Sequence, residues 1–399
     1  MTKTHVRWAL AALALGAFAI GTGEFAIMGL LPEAATGLQV SIPHAGRLIS
    51  AYALGVVVGA PLLIAAASKL PRRTALVVLI GVYGGAHLLS AIAPDYGWML
   101  VARFLAGLPH GAFFGIGAIV AGRLVDPSKQ ARAMAMMLSG LTVANILGVP
   151  ASTLLGQIVG WRWVFGVVGL IALLAAAAVT LAVPVVRGVA TPRLIEEIKA
   201  LRRFPVWITL LVCIVGGAAL FSVYSYIAPM LTDVAGYSPT AVTLILALFG
   251  IGMTVGNLVG ARLADRGPVR AVVLFFGLDV VLALLLVPAL QNRVTAAVVL
   301  FLFAVSVFGT IPGIQLRIIN GAGEAPHMAS GAMHMAFNAA NAVGAWLGGL
   351  VIAAGFGYTA PAFVAAGLAF LGGAIALFAG WRERRASSRV GDDPLVSAG

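Results

Sequence analysis

Charge is what this chain has least of. Only 10% of its 399 residues are Asp, Glu, Lys or Arg, whereas a soluble domain carries about 25%. A water-facing surface cannot be built from so few charges. Cysteine is nearly absent too: Cys213 stands alone in an apolar run, which excludes a disulfide framework and a thiolate metal cluster. No Walker-type glycine-lysine loop occurs, so ATP is not expected to be the energy source. No His-Glu-x-x-His segment is present, and no serine with histidine stands at a suitable depth, which argues against a membrane protease. No stretch between apolar runs exceeds about 22 residues, too short for the output domain of a sensor.

What fills the chain instead is apolar residue and glycine. It is 61% hydrophobic, with a mean hydropathy of +1.05 and 49 glycines. A bilayer is the solvent that fits, and small residues let helices approach closely in lipid. A spanning helix needs about 20 mostly apolar residues. Spans are expected near 8–30, 45–67, 74–93, 98–121, 133–156, 163–183, 206–231, 241–261, 269–288, 294–316, 328–354 and 360–380. Lys3 and Arg7 resemble the start of a signal peptide, but the apolar run continues to about residue 30, too long for that. An uncleaved first helix is expected.

The sequence also repeats itself. Gly55-Val-Val-Val-Gly59 recurs as Gly252-Met-Thr-Val-Gly256, an offset of 197. Ala144-Asn145-Ile-Leu-Gly148 recurs as Ala340-Asn341-Ala-Val-Gly344, an offset of 196. Two agreeing registers at half the chain length indicate a duplication, the form of a transporter built from two similar halves around a central site. The expected fold is an all-α integral membrane protein with twelve transmembrane helices in two six-helix pseudo-symmetric halves. Residues 1–183 form the first half, 184–205 a linker, 206–380 the second half and 381–399 a disordered tail. Within the linker, Leu194, Ile195, Ile198 and Leu201 fall at the spacing of a short amphipathic surface helix.

The net charge of +12 does not point to nucleic acid. With both termini cytoplasmic, 21 of the 25 Lys and Arg lie on the inner side, only Arg47, Arg162 and Arg293 lie outside, and Arg103 is left within a span. The positive-inside rule thus fixes the even span count and the topology together, and the basic residues meet anionic headgroups. The location expected is the inner (plasma) membrane.

Three charges fall well inside spans: Glu24, Arg103 and Asp279. Such charges pair or face a wet cavity. Glu24 and Arg103 both lie about 8–9 Å below the outer surface, at 1.5 Å per residue, so they are plausible partners. Glu24 then either accepts a proton, with an affinity set by burial and by the guanidinium, or staples two helices as a fixed ion pair. Asp279 has no charged partner at its depth; it is either a second protonation site or a neutral acid bonded to a carbonyl or hydroxyl. His110, in Gly107-Leu-Pro-His-Gly111, titrates where proton coupling occurs or serves as a structural histidine. His334, Asn338 and Asn341 share one helix face, and Asn145 is the counterpart of Asn341. These amides bind substrate or join helices. Phe25, Phe113, Phe114, Phe221, Tyr224 and Tyr226 line an apolar cavity or simply pack.

Longer motifs carry a resemblance over residues 8–380. They are Gly21-Thr-Gly-Glu24-Phe25, Arg103-Phe-Leu-Ala-Gly107-Leu-Pro-His110-Gly111-Ala-Phe-Phe-Gly115, Gly140-Leu-Thr-Val-Ala-Asn145-Ile-Leu-Gly148-Val-Pro150 and Gly160-Trp161-Arg162-Trp163. The chain resembles the major facilitator superfamily, specifically its twelve-helix drug/proton antiporter branch of arabinose efflux permease-like and chloramphenicol-resistance-like proteins. Arg103 with its downstream glycines resembles the family's proton-coupling motif. Gly148-Val-Pro150 resembles the antiporter signature, which permits bending during alternating access. After the second helix the family's aspartate and glycine are missing from Ser68-Lys69-Leu70-Pro71-Arg72-Arg73, whereas Asp265-Arg266 keeps the matching place in the second half as a gating contact.

The resemblance implies a monomeric secondary transporter that exports neutral or amphipathic drug-like molecules in exchange for protons. It needs no metal or other cofactor, because the proton gradient drives it. Its partners are the substrate, protons and the lipid bilayer. Efflux of sugars or sugar-like metabolites, with Asn145, Asn338, Asn341 and Gln315 as hydrogen-bonding groups, is the alternative, and import by proton symport a further one.

Overall fold

The structure is a computed structural model, and its described residues are 3–67, 69–185, 203–322 and 326–391. Twelve helices are long and apolar enough to span a bilayer. In chain order they are α1 (Lys3–Gly29), α2 (Ile42–Ala67), α3 (Arg72–Ala91), α4 (Tyr96–Arg123), α5 (Pro127–Val159), α6 (Trp161–Ala182), α7 (Phe204–Tyr224), α8 (Pro239–Arg266), α9 (Pro268–Ala289), α10 (Arg293–Ala322), α11 (Pro326–Ala353) and α12 (Ala360–Gly391). No strand occurs among the described residues, as expected where hydrocarbon leaves each backbone polar group to be satisfied within its own segment. An even number of spans puts both ends of the chain on one side of the bundle, here termed the terminal face. The turns 29–42, 91–96, 159–161, 224–239, 289–293 and 353–360 form the far face.

The two halves repeat one packing plan. In the first, α1 packs on α5 and α6, α2 on α4, and α3 on α4 and α6; in the second, α7 packs on α11 and α12, α8 on α10, and α9 on α10 and α12. The glycine repeat explains part of this. A Cβ on Gly59 would collide with the Leu108 carbonyl of α4, and one on Gly256 with the Val305 carbonyl of α10. Each glycine therefore lets its helix lie backbone against backbone on the same partner in its half.

The seventh span departs from expectation. Its helix stops at Tyr224 rather than continuing to 231. The Tyr226 amide turns back to the Val223 carbonyl at 3.1 Å, Pro229 has no amide to offer, and Met230–Val234 forms a π-turn. The twelfth helix runs on to Gly391, past the boundary at 380 where a disordered tail was expected. The amphipathic segment at 194–201 and residues 392–399 lie outside the described residues.

The halves meet through α2 with α11 and α5 with α8. Ser50 Oγ donates to the Ala342 carbonyl at 3.0 Å and Gln157 Nε2 to the Pro239 carbonyl at 2.9 Å, both toward the far face. There Tyr226 fills the space between Gly46 and Gly349 and donates to Ala345 O at 2.7 Å. Along α5, residues 144–159 pack on α8, whereas Gln130–Val143 packs on α1 and α4 of its own half. Among the described residues, the α5–α8 contact runs over the far-face part of α5, and α4 meets α11 where Phe114 stacks on His334.

Candidate functional site

Glu24 sits in α1 where the halves meet. Gly23 before it must lack a side chain, because a Cβ there would strike Tyr83 Oη and His87 Nε2 of α3. Glu24 is 3% exposed. One carboxylate oxygen accepts from Asn341 Nδ2 of α11 at 3.5 Å, and the other lies 4.0 Å from His110 Nδ1 of α4. His110 Nδ1 is also 2.9 Å from Tyr52 Oη of α2. The carboxylate thus faces an imidazole of its own half and an amide of the other. The His110 separation is too long for direct proton exchange in this arrangement.

Arg103 does not form the expected side-chain ion pair with Glu24. Its guanidinium donates to the Gly23 carbonyl at 2.8 Å and more weakly to the Glu24 carbonyl at 3.5 Å. It also lies over the Tyr52 ring at 4.4 Å and the Phe165 ring at 5.7 Å. It is completely buried. A cation so placed ties α4 to the backbone of α1 through charge-assisted bonds and leaves the carboxylate oxygens of Glu24 to other partners.

The polar face of α11 divides. Asn338 Nδ2 turns back to the His334 carbonyl of its own helix at 3.1 Å, whereas Asn341 reaches across the interface. The His334 ring stacks on Phe114 of α4 at 5.5 Å and 9°, and Phe114 in turn lies 5.1 Å from His110. Phe25 meets Phe221 at 6.5 Å and Tyr224 at 6.0 Å, and Phe221 meets Phe337 at 5.0 Å. An aromatic layer therefore crosses from α1 to α7 and α11 beside Glu24. Phe113 and Tyr226 do not join it. Phe113 packs on Gly16 inside the first half, and Tyr226 plugs the far face.

Asp279 is also apart from this cluster. It faces a cavity of about 20 Å³ between α7, α9, α10 and α11, with Gly216, Thr310 and Phe337 in its wall. Neither carboxylate oxygen has a hydrogen-bond partner among the described residues. The Ser306 hydroxyl donates to the Phe275 carbonyl at 3.1 Å instead. The cavity is large enough for a single water.

Asn145, Gly148 and Pro150 belong to one local feature of α5. Pro150 has no amide to return to the carbonyl four residues earlier. The helix widens to a π-turn over Ala144–Gly148, closed by the Val149 amide on Ala144 O. Such turns often mark functional positions within helices. The Asn145 carbonyl presses on Gly250 of α8, where no Cβ would fit. Asp265 and Arg266 are exposed at the terminal face, and Asp265 has no hydrogen-bond or ion-pair partner among the described residues, so a gate contact is not formed in this arrangement.

Sequence reasoning passed over Tyr52, Tyr83, His87 and Gly250. A signal existed for the first three. Tyr52 lies one turn before Gly55 on the face that the glycine pair turns to α4, and Tyr83 and His87 are four apart, so both point the same way.

The sequence model of the Major Facilitator Superfamily matches residues 13–333. The chain belongs to the Major Facilitator Superfamily. It is 43% identical over 370 residues to the inner membrane transport protein YdhP of Escherichia coli strain K12, covering 92% of this chain and 95% of that protein. It is 36% identical to a chloramphenicol resistance protein of Streptomyces lividans, covering 87% and 88%. To a probable sugar efflux transporter of Helicobacter acinonychis it is 28% identical, covering 92% and 91%. Its fold is similar to the crystal structure of a bacterial homologue of the human lysosomal transporter Spinster in an inward-facing, unoccupied conformation, with a TM-score of 0.76 and 14% identity over 95% of this chain and 98% of that one. This superfamily member is a membrane transporter with a small-molecule substrate, and superfamily transporters are not enzymes.

Proposed function

We propose that this transporter exports small neutral or amphipathic drug-like molecules in exchange for protons, with Glu24 as the group that takes up and releases the proton. The observation that carries the reading is the position of that carboxylate, held between His110 of its own half and Asn341 of the other. Adding or removing a proton there changes the charge at the seam along which the halves move. Alternating access by rocking of two repeats around a midplane site supplies the motion. The excess of Lys and Arg on the terminal face argues that this face is cytoplasmic. In that orientation the far face is the outer one, and the membrane is an inner (plasma) membrane.

His110, paired with Tyr52, hands the proton to or from Glu24, and Arg103 holds α1 and α4 as one body while this happens. Asp279 keeps its proton throughout, since an unpaired charge in hydrocarbon is costly. A proton falling through about 100 mV supplies roughly 2.3 kcal/mol, enough for about a fiftyfold concentration ratio of substrate. The transporter works as a monomer.

The aromatic layer beside Glu24 and the scarcity of charge favour an apolar substrate. The name of the Streptomyces relative agrees. Sugar efflux is the second reading, supported by the name of the Helicobacter relative. It is weakened because two of the four amides it would use are engaged, Asn338 by its own helix and Asn341 by Glu24. The test is transport in proteoliposomes under an imposed proton gradient, with a panel of antibiotics and sugars, comparing wild type with Glu24→Gln. Gradient-driven efflux of an antibiotic that Glu24→Gln abolishes is the expected result. Coupled transport that survives the substitution overturns the role of Glu24.

A further inference from the structure

Where α8 turns into α9 at the terminal face, a groove of about 780 Å³ opens against the end of α12. Its wall is apolar: Val273 and Leu274 of α9 and Leu377 of α12. Its rim is basic: Arg266, Arg270 and Arg384, all exposed and none with a hydrogen-bond or ion-pair partner among the described residues. The acid in the lining, Glu383, is gripped by Arg317 through bonds of 2.8 and 3.2 Å, so its charge is matched inside the protein. The depth is marked by Trp381, 45% exposed and next in sequence to Gly380 of the lining, with the Arg385 guanidinium 4.0 Å over its ring. Exposed tryptophans gather at the headgroup level of a bilayer. The rim therefore stands among headgroups, and Leu274 and Leu377, each 52% exposed, face acyl chains.

The first half shows the same place closed. Arg73 stands at the terminal-face end of α3 as Arg270 does at that of α9, and Thr180 of α6 matches Leu377 of α12 at the 197-residue offset. There Arg73 Nη1 donates to the Thr180 carbonyl at 3.3 Å, so the guanidinium is used within the protein. In the second half Arg270, at the same end of its helix, is left available, with two more arginines beside it.

We propose that this groove binds an anionic phospholipid of the terminal-face leaflet, its phosphate held by Arg266, Arg270 and Arg384 and one acyl chain laid along Val273, Leu274 and Leu377. Guanidinium groups match phosphate oxygens in pairs. Three of them favour a headgroup with net negative charge over a zwitterionic one, each by an amount typical of basic residues at a membrane surface.

Native mass spectrometry of the full-length protein tests this, after reconstitution in nanodiscs with equal amounts of phosphatidylglycerol and phosphatidylcholine. Wild type is expected to retain the anionic lipid at least about tenfold over the zwitterionic one. The triple variant R266Q/R270Q/R384Q is expected to lose that preference. The control R123Q/R132Q, at exposed terminal-face arginines of the first half, is expected to keep it. No preference in wild type, or the same preference in the triple variant, overturns the proposal; so does an equal loss in the control, which would mean unspecific attraction to charge. Displacement of the retained lipid by millimolar inorganic phosphate also overturns it, because the apolar wall would then contribute nothing.

Discussion

In the first half α4 carries Arg103 and His110 and α2 carries Tyr52; 197 residues on, α10 carries Leu300 and Val307 and α8 carries Phe249. All six are buried. Glu24 of α1 corresponds to Leu220 or Phe221 of α7, depending on which offset is applied. Helix packing has been kept in both copies, whereas the carboxylate with its arginine, histidine and tyrosine belongs to one, and the second adds His334 across the seam. The first half is thus held by buried polar bonds around a carboxylate, and the second presents a largely apolar body to it. A rocking transporter gains from such a division. Protonation alters one side of the seam, and the other offers Asn341 as a contact and His334 against Phe114.

Exchanging the two patterns is the severest way to break this comparison. Leu300→Arg places a guanidinium in the second half, where no carbonyl is prepared for it. A charge within the hydrocarbon costs up to about 2.5–3.5 kcal/mol even on insertion scales. The expected outcome is loss of folded protein, read as the monodisperse fraction after detergent extraction. Arg103→Leu removes the bonds to the Gly23 and Glu24 carbonyls. Hydrogen bonds to charged groups contribute about 1.5–3 kcal/mol, so a clear fall in melting temperature in detergent is expected, together with loss of coupled transport by about a hundredfold. If Leu300→Arg gave protein as stable as wild type, the contrast between the halves would be wrong.

Packing should respond alike in both halves. Gly59→Ala and Gly256→Ala each push a methyl into a facing carbonyl. Overpacking of this kind costs about 1–3 kcal/mol. The two melting-temperature shifts are expected to agree closely, and a large disparity would show that the duplicated motif does not do the same job twice.

The amides sharpen the comparison further. Asn145 and Asn341 are equivalent in sequence, but only Asn341 touches the carboxylate. Asn341→Ala is expected to lower proton-coupled efflux about tenfold, a loss of about 1.4 kcal/mol in coupling, while counterflow of substrate without a gradient changes little. Asn145→Ala is expected to stay within about threefold of wild type in both assays. Equal effects would make the cross-interface contact irrelevant.

The duplication and the span count were legible because they rest on apolar length and on glycines at fixed spacing. Glu24, Arg103 and Asp279 stood out because charge in hydrocarbon is rare. What each charge touches was less legible. Equal depth suggested that Arg103 pairs with the Glu24 carboxylate, but depth says nothing about azimuth, and the guanidinium turns to the backbone of α1. The break after Tyr224 was hidden because Ile227, Ala228, Met230 and Leu231 prolong the apolar run, and hydropathy does not register a turn that Pro229 helps to make. The six aromatics carry one signal in sequence and three roles in space: an interfacial layer, the core of the first half and a plug at the far face. Side-chain chemistry alone does not separate those roles; the helix face each residue occupies does.

Asp279 gives the smallest expected effect and the finest test. Its counterpart at the 196-residue offset is Tyr83, whose hydroxyl lies 3.1 Å from the Ile20 carbonyl and 3.3 Å from the Ala19 carbonyl, tying α3 to α1. Asp279 makes no such bond to α7 and faces the small cavity instead. A carboxyl that keeps its proton in that setting behaves as a neutral polar group. Asn has the same shape and no charge, so Asp279→Asn is expected to leave the transport rate within about twofold and the number of protons moved per substrate unchanged. Measuring that ratio from paired substrate and pH-electrode fluxes decides the matter. A ratio lowered by one would make Asp279 a second coupling site and would extend the titratable machinery into the half that is otherwise apolar.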